Sequence, residues 1–125
     1  MTALLIAAGV LSILFGLAHS YVGERRIVAL LYDRPDLPPL WGSVALMRRT
    51  IRFAWHLTSI AWIGSGALLI LFGHHVAEPT VRIGVRVIAG TFLVTAAAAF
   101  LWSRGRHPAW AIALVIAVLA WLGAR

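Results

Sequence analysis

The hydrophobic residues of this chain gather in four long runs, which shorter polar segments separate. The runs cover residues 2–22, 51–72, 81–102 and 108–123. Each approaches the ~20 residues that an α-helix needs to cross a hydrocarbon layer of ~30 Å, and the fourth run is the shortest. We therefore predict an all-α integral membrane protein, a four-helix bundle of up-down-up-down topology that forms one domain over residues 1–125.

The connections between the runs differ in length. Residues 73–79 and 103–108 predict two tight turns, whereas residues 23–50 predict a longer loop between the first and second helices. Within this loop, residues 24–32 predict a helix that lies in the membrane interface. The proline-rich segment 33–39 should end that helix. The first loop is therefore the largest part of the chain expected outside the hydrocarbon.

Composition supports the membrane assignment. Hydrophobic residues make up 62% of the 125 positions and charged residues only 12%, whereas an ordinary soluble domain is about 25% charged. So short a chain cannot bury that much apolar surface within itself, and the lipid bilayer is the expected partner. The absence of cysteine excludes disulfides, thiolate metal sites and a cysteine nucleophile.

The net charge of +7 indicates orientation in a membrane, because all eleven basic residues are arginines that flank the apolar runs. This placement favours contact with anionic lipid headgroups and argues against nucleic acid as a partner. Eight of the arginines lie in or beside the first and third connections, and the other three are Arg82, Arg86 and Arg125. The positive-inside rule then predicts that the first and third connections are cytoplasmic and that both termini face outward, to the periplasm if the source is a Gram-negative bacterium.

The histidines supply the candidate chemistry. His19 and His56 lie at nearly equal depth near the cytoplasmic ends of the first and second runs, and His107 opens the fourth. Small residues recur on the helix face of His19, at Gly9, Ser12, Gly16 and Gly23. Such a face lets membrane helices approach closely, so His19 is expected to point into the bundle. An ionisable group in that position is a functional hypothesis by default.

Two inward histidines at equal depth fit the axial ligation of a b-type haem, since neutral imidazole is a good iron ligand. Alternatively, His107 and Glu24 would complete a site for a divalent transition metal such as iron, zinc or copper. The predicted metal ligands are His19, His56, His107 and Glu24. The predicted cofactor-binding residues are His19, His56, Arg25, Arg52 and Trp55, where the arginines would hold haem propionates or an anionic substrate. The leading hypothesis is a haem- or metal-binding, redox-active membrane protein.

A structural interpretation competes with this hypothesis. His19 and His56 would then only hydrogen-bond Ser20, Ser59 or a backbone carbonyl, and His107 would be a turn residue. The protein would be a non-enzymatic interaction subunit that packs against another membrane protein of a larger complex or against a second copy of itself. A third, separate hypothesis is a carrier of small molecules that works as an oligomer. The spacing of the histidines matches no local metal motif, so depth and helix face alone carry the metal hypothesis.

Two classes of activity lack their usual residues. No Ser-His-Asp arrangement is apparent along the chain, and no acidic residue lies in the middle of an apolar run, where a proton-coupled carrier usually needs one. Glu24, Arg25 and Arg26 form either an ion pair that locks the end of the first helix or an interfacial cluster of charges, and the favoured expectation is the ion pair. The sequence therefore leaves enzymatic activity open.

Three short motifs resemble those of a group of small four-span bacterial inner-membrane proteins that are known mainly as uncharacterised sequences. Residues 19–25 read His-Ser-Tyr-Val-Gly-Glu-Arg, residues 52–58 read Arg-Phe-Ala-Trp-His-Leu-Thr, and residues 106–108 read Arg-His-Pro. The resemblance covers most of the chain. It implies the four-helix membrane fold and brings no known activity with it.

Overall fold

The computed structural model describes residues 1–125, and its regular secondary structure is helical. Helix α1 covers Thr2–Gly23, a π-helical turn covers Glu24–Val28, and the short helix α2 covers Ala29–Tyr32. Three further helices follow, α3 at Val44–Gly73, α4 at Pro79–Ser103 and α5 at Ala109–Gly123. There is no strand, and one isolated bridge joins Leu40 to Ser43. The predicted all-helical fold is confirmed.

Three continuous helical segments are long and apolar enough to cross a membrane: Thr2–Tyr32, Val44–Gly73 and Pro79–Ser103. Helix α5 is also apolar but has only 15 residues. Large hydrophobic side chains are exposed along the helices, among them Leu14, Phe53 and Val94. Extended apolar surfaces of this kind are unusual on proteins that water surrounds on all sides. The helix lengths and surfaces are consistent with a membrane protein.

The helices extend beyond the apolar runs that predict them. Helix α3 begins at Val44 instead of residue 51, so that Arg48 and Arg49 lie on its first turns and not in a loop. Helix α1 likewise passes through the π-helical turn into α2. An apolar run marks only the part of a helix that is hydrophobic, and a polar flank continues the helix until a breaker stops it. The breaker here is the segment that follows Tyr32, as predicted, because prolines restrict the backbone at and before their own positions.

Contacts between residues divide the chain into two compact units. The first comprises residues 1–13 and 64–125, with the start of α1, the end of α3 and all of α4 and α5. The second comprises residues 14–63, with the rest of α1 and α3 and the segment between them. The largest fully buried hydrophobic side chains of the first unit are Leu5, Leu69, Val85, Phe92 and Ile116. The second unit contains His19, His56 and Glu24.

Small residues let α1 approach α3 closely. In the second unit, a Cβ atom added at Gly16 would lie 2.8 Å from the carbonyl oxygen of Ser59 on α3. In the first unit, a Cβ added at Gly9 would lie 2.5 Å from the carbonyl oxygen of Gly66. The face of small residues found in the sequence therefore packs against α3 within the chain, which confirms that it points inward.

We expect Gly16→Ala to lower the free energy of unfolding by about 1–3 kcal/mol, because the added methyl group meets a backbone oxygen that cannot move aside. Unfolding of the purified protein in detergent micelles, followed by circular dichroism, measures this change. Gly64→Ala is the matched control, since an added Cβ there has nothing within 4 Å. Gly64→Ala should therefore raise the free energy of unfolding slightly, because alanine is favoured over glycine in a helix by about 0.5–1 kcal/mol where nothing obstructs the added methyl group. Equal stability of the two variants would contradict the close contact.

Candidate functional site

A change of helical geometry marks the end of α1. The backbone N–H of Ala29 bonds to the carbonyl oxygen of Glu24, five residues earlier, which is the hydrogen bond of a π-helix. Isolated π-helical turns in α-helices are frequent at functional sites. Glu24 is the first residue of this turn, and its side chain is about one-third exposed, at 33%.

The carboxylate of Glu24 bonds to two side chains of α3. Its Oε1 accepts a hydrogen bond from Arg52 Nη2 at 2.6 Å, and its Oε2 lies 3.1 Å from His56 Nε2. The expected pairing with Arg25 and Arg26 is wrong, because neither arginine forms an ion pair with Glu24. Residues one and two positions apart on a helix do not face each other, whereas a neighbouring helix can present its side chains to the carboxylate.

His56 joins this carboxylate to a hydroxyl group. Its Nδ1 lies 2.7 Å from Ser20 Oγ, and its Nε2 lies 3.1 Å from Glu24 Oε2. An ionised carboxylate can only accept hydrogen bonds, so in the neutral ring the hydrogen sits on Nε2 and Nδ1 accepts the Ser20 hydroxyl. Ser20 and Glu24 are four residues apart and share one face of the helix. The result is a serine, a histidine and a glutamate linked in one chain of hydrogen bonds.

This chain of hydrogen bonds lies in an open groove. The groove has a volume of about 380 Å³, and Ser20, Glu24 and His56 all line it. Its remaining walls are Leu17, Tyr21 and Arg25. The Arg25 guanidinium lies 5.1 Å from the centre of the Tyr21 ring. A ligand in the groove would therefore meet a hydroxyl, an imidazole, a carboxylate and a positive charge together with the apolar surface of Leu17 and Tyr21.

His19 has a different environment. Its Nδ1 lies 2.9 Å from Oγ of Ser59, a buried residue that is only 2% exposed. Its ring stacks on the Trp55 ring at a centroid distance of 4.5 Å. It also forms a T-shaped pair with the Trp62 ring at a centroid distance of 4.8 Å. The indole N–H of Trp55 also donates to the His19 carbonyl at 3.1 Å. The hydrogen bonds from the histidines to Ser20 and Ser59, which the structural interpretation expected, are confirmed.

The structure does not assemble the predicted set of metal ligands. His107 lies in the other compact unit, and its Nδ1 accepts a hydrogen bond from the backbone N–H of Ala109 at 3.2 Å. No group of three or more His, Cys, Asp or Glu side chains is placed to hold a metal ion. Both ring nitrogens of His56 have partners, so a metal or haem iron would have to displace Ser20 or Glu24. Haem or metal binding stays a prediction.

The sequence indicated Ser20 only as a hydrogen-bond partner of a histidine and did not link it to Glu24. A signal was present, because Ser20 precedes Glu24 by one helical turn and therefore shares its face. The third member, His56, is 36 residues away along the chain, and only the packing of α3 on α1 brings it near. The structure thus corrects the expectation that the chain has no serine–histidine–carboxylate arrangement.

Comparisons with known proteins add no family assignment. No family model, no curated protein and no solved structure matches the chain. The resemblance of its three motifs to small four-span bacterial membrane proteins stays a prediction.

We expect neutral His56 to carry its hydrogen on Nε2, because that nitrogen faces an acceptor-only carboxylate. Nitrogen NMR of protein labelled at histidine distinguishes the two tautomers. Ser20→Ala should shift the Nδ1 signal of His56 and leave His19 unchanged. The matched variant Ser59→Ala should do the reverse, since Ser59 bonds to His19. A hydrogen on Nδ1 of neutral His56 would contradict the proposed arrangement.

Proposed function

We propose that the chain is a multi-pass protein of a bacterial inner membrane, in which α1, α3, α4 and α5 cross in up-down-up-down order. Three helices of spanning length and the many exposed hydrophobic side chains support insertion. The placement of eight of the eleven arginines in or beside the first and third connections supports an orientation with both termini outside.

Single-cysteine variants test this orientation on a clean background, because the chain contains no cysteine of its own. We expect a membrane-impermeant maleimide to label His74→Cys, in the turn between α3 and α4, in spheroplasts. Arg106→Cys, in the turn between α4 and α5, should react only after the membrane is permeabilised. The cysteine-free protein is the control, and the opposite labelling pattern would reject the proposed orientation.

The activity that the site supports best is hydrolysis of an ester by a serine nucleophile. The observation that carries this proposal is the pair of contacts to His56, with Ser20 Oγ at 2.7 Å from one nitrogen and Glu24 Oε2 at 3.1 Å from the other. A nucleophile and a base within about 2.6–3.2 Å, with a third group that orients the base, characterise an activated nucleophile. The groove would admit the ester to the Ser20 hydroxyl.

The reaction would proceed in two halves. Ser20 Oγ attacks the ester carbonyl carbon while Nδ1 of His56 takes the hydroxyl proton, and the departing alcohol oxygen then receives that proton. This leaves an acyl group on Ser20. A water molecule next attacks the acyl carbon and gives its proton to His56, which returns it to Ser20 Oγ as the carboxylic acid leaves. One ester and one water become one acid and one alcohol.

The neighbouring charges have separate roles in this reaction. Glu24 stays ionised, holds Nε2–H of His56 and offsets the positive charge that the ring acquires. Arg52 bonds to the other oxygen of Glu24 and so keeps the carboxylate facing the ring. Arg25 lines the same groove, so its positive charge would favour the negative carbonyl oxygen of the transition state. The apolar walls at Leu17 and Tyr21 favour an ester with a hydrophobic part.

A fluorophosphonate probe tests the nucleophile directly. We expect the probe to label the wild-type protein on Ser20, which mass spectrometry of peptides would locate, and Ser20→Ala to remove the label. His56→Ala should slow labelling by about 10²–10⁴-fold, the usual contribution of a general base. Ser59→Ala is the matched control and should react at the wild-type rate, because Ser59 is buried and does not line the groove. A label that persists in Ser20→Ala would reject the proposal.

The same preparation tests the haem or metal hypothesis. A haem held by His19 and His56 would give a Soret band that is lost in His56→Ala, and a resident metal would appear in stoichiometric amount by elemental analysis. Either result, together with an unlabelled Ser20, would favour a cofactor-binding protein over an esterase.

A further inference from the structure

A second groove lies between α4 and α5, within the first compact unit. Its volume is about 300 Å³, and its lining includes Gly90, Leu93, Ala117, Val118 and Trp121. All of these residues are apolar, in contrast to the groove beside Ser20. An added Cβ at Gly90 would find nothing within 4 Å, so the glycine leaves this part of the groove open.

A positive charge lies at one end of this groove. Arg86 precedes Gly90 by one turn on the same face of α4, and its guanidinium carbon lies 5.8 Å from the centre of the Trp121 ring. The side chain is exposed, and neither the four acidic side chains nor the C-terminal carboxylate forms an ion pair with it. An arginine within an apolar membrane span raises the free energy of insertion unless it pairs with a ligand or its side chain reaches the membrane interface.

Arg86 and the apolar part of the groove lie at different positions along the axes of α4 and α5. Arg86 lies about 10 Å along the axis from the first residue of α4, since each residue adds ~1.5 Å. Trp121 lies two residues before the end of α5. From this end the groove runs towards Leu93 on α4 and Ala117 on α5. In the proposed orientation the charged end faces the outer headgroups, which arginine reaches by extending its side chain, and the apolar part descends into the hydrocarbon.

We propose that the α4–α5 groove binds an acyl chain of an anionic phospholipid of the outer leaflet, whose phosphate pairs with Arg86. This proposal rests on the proposed membrane placement and not on the chemistry of Ser20. The charge argues against a second copy of the chain as the occupant. A twofold contact through this groove, about an axis along the membrane normal, would place the two Arg86 side chains at the same depth. Arg86 forms no ion pair within its own chain that would offset their repulsion.

Native mass spectrometry of the detergent-released protein tests the site. The probes are phosphatidylglycerol and phosphatidylcholine with the same acyl chains, each added separately. We expect the wild type to retain phosphatidylglycerol preferentially. Arg86→Gln should reduce that preference about fivefold, the effect of one arginine at an anionic membrane surface, without abolishing retention of either lipid.

A variant that fills the groove distinguishes binding of the acyl chain in the groove from attraction of the headgroup to a surface charge. Gly90→Leu places a side chain in the open part of the groove and should remove retention of both lipids. Gly64→Leu is the matched control, because an added Cβ at Gly64 also finds nothing within 4 Å, and it should behave as the wild type. Circular dichroism checks that both variants are folded.

Several results would overturn the proposal. They are equal retention of the two phospholipids by the wild type, an unchanged preference in Arg86→Gln, and equal loss in Gly90→Leu and Gly64→Leu. Stronger retention of a free fatty acid than of phosphatidylglycerol would assign the site to a carboxylate and overturn the phospholipid. A failure of membrane insertion would instead appear in the cysteine labelling, so the two proposals fail in different experiments.

Discussion

The close approach of α1 to α3 at Gly16 is the contact on which the candidate site depends. Serine has a short side chain, so a hydroxyl can reach a histidine of the other helix only where the two backbones are near. Two such bonds form in opposite directions, from Ser20 to His56 and between Ser59 and His19. The absence of a side chain at Gly16 allows this distance, since a Cβ there would meet the Ser59 carbonyl.

The contacts of Glu24 with Arg52 and His56 matter more for orientation than for stability. Its side chain is 33% exposed and that of Arg52 is 42% exposed, and ion pairs at such positions contribute about 0–1 kcal/mol. Their geometric effect is larger, because one carboxylate oxygen is held by Arg52 while the other faces the ring of His56. The imidazole is thereby directed at Ser20, which is the arrangement that a general base requires.

Each compact unit contains one groove, and the two grooves differ in polarity. The groove beside Ser20 combines a hydroxyl, an imidazole and an arginine, whereas the groove between α4 and α5 is apolar with Arg86 at its end. The two proposed ligands, an ester and a phospholipid, differ in the same way. An ester needs reacting groups at its carbonyl carbon, and a lipid chain needs only an apolar surface and a charge to hold its headgroup.

The apolar runs determined where the four long helices lie, although not where those helices begin and end. The small residues near His19 determined which face of α1 packs inward. These features are local, because helix formation and helix-face polarity depend on residues within a few turns. The partners of Ser20, His56 and Glu24 were decided by tertiary structure. A sequence does not specify how far each helix is rotated about its own axis or shifted along its neighbour. Those two quantities decide which side chains meet, and here they place Glu24 against α3 instead of its neighbours Arg25 and Arg26.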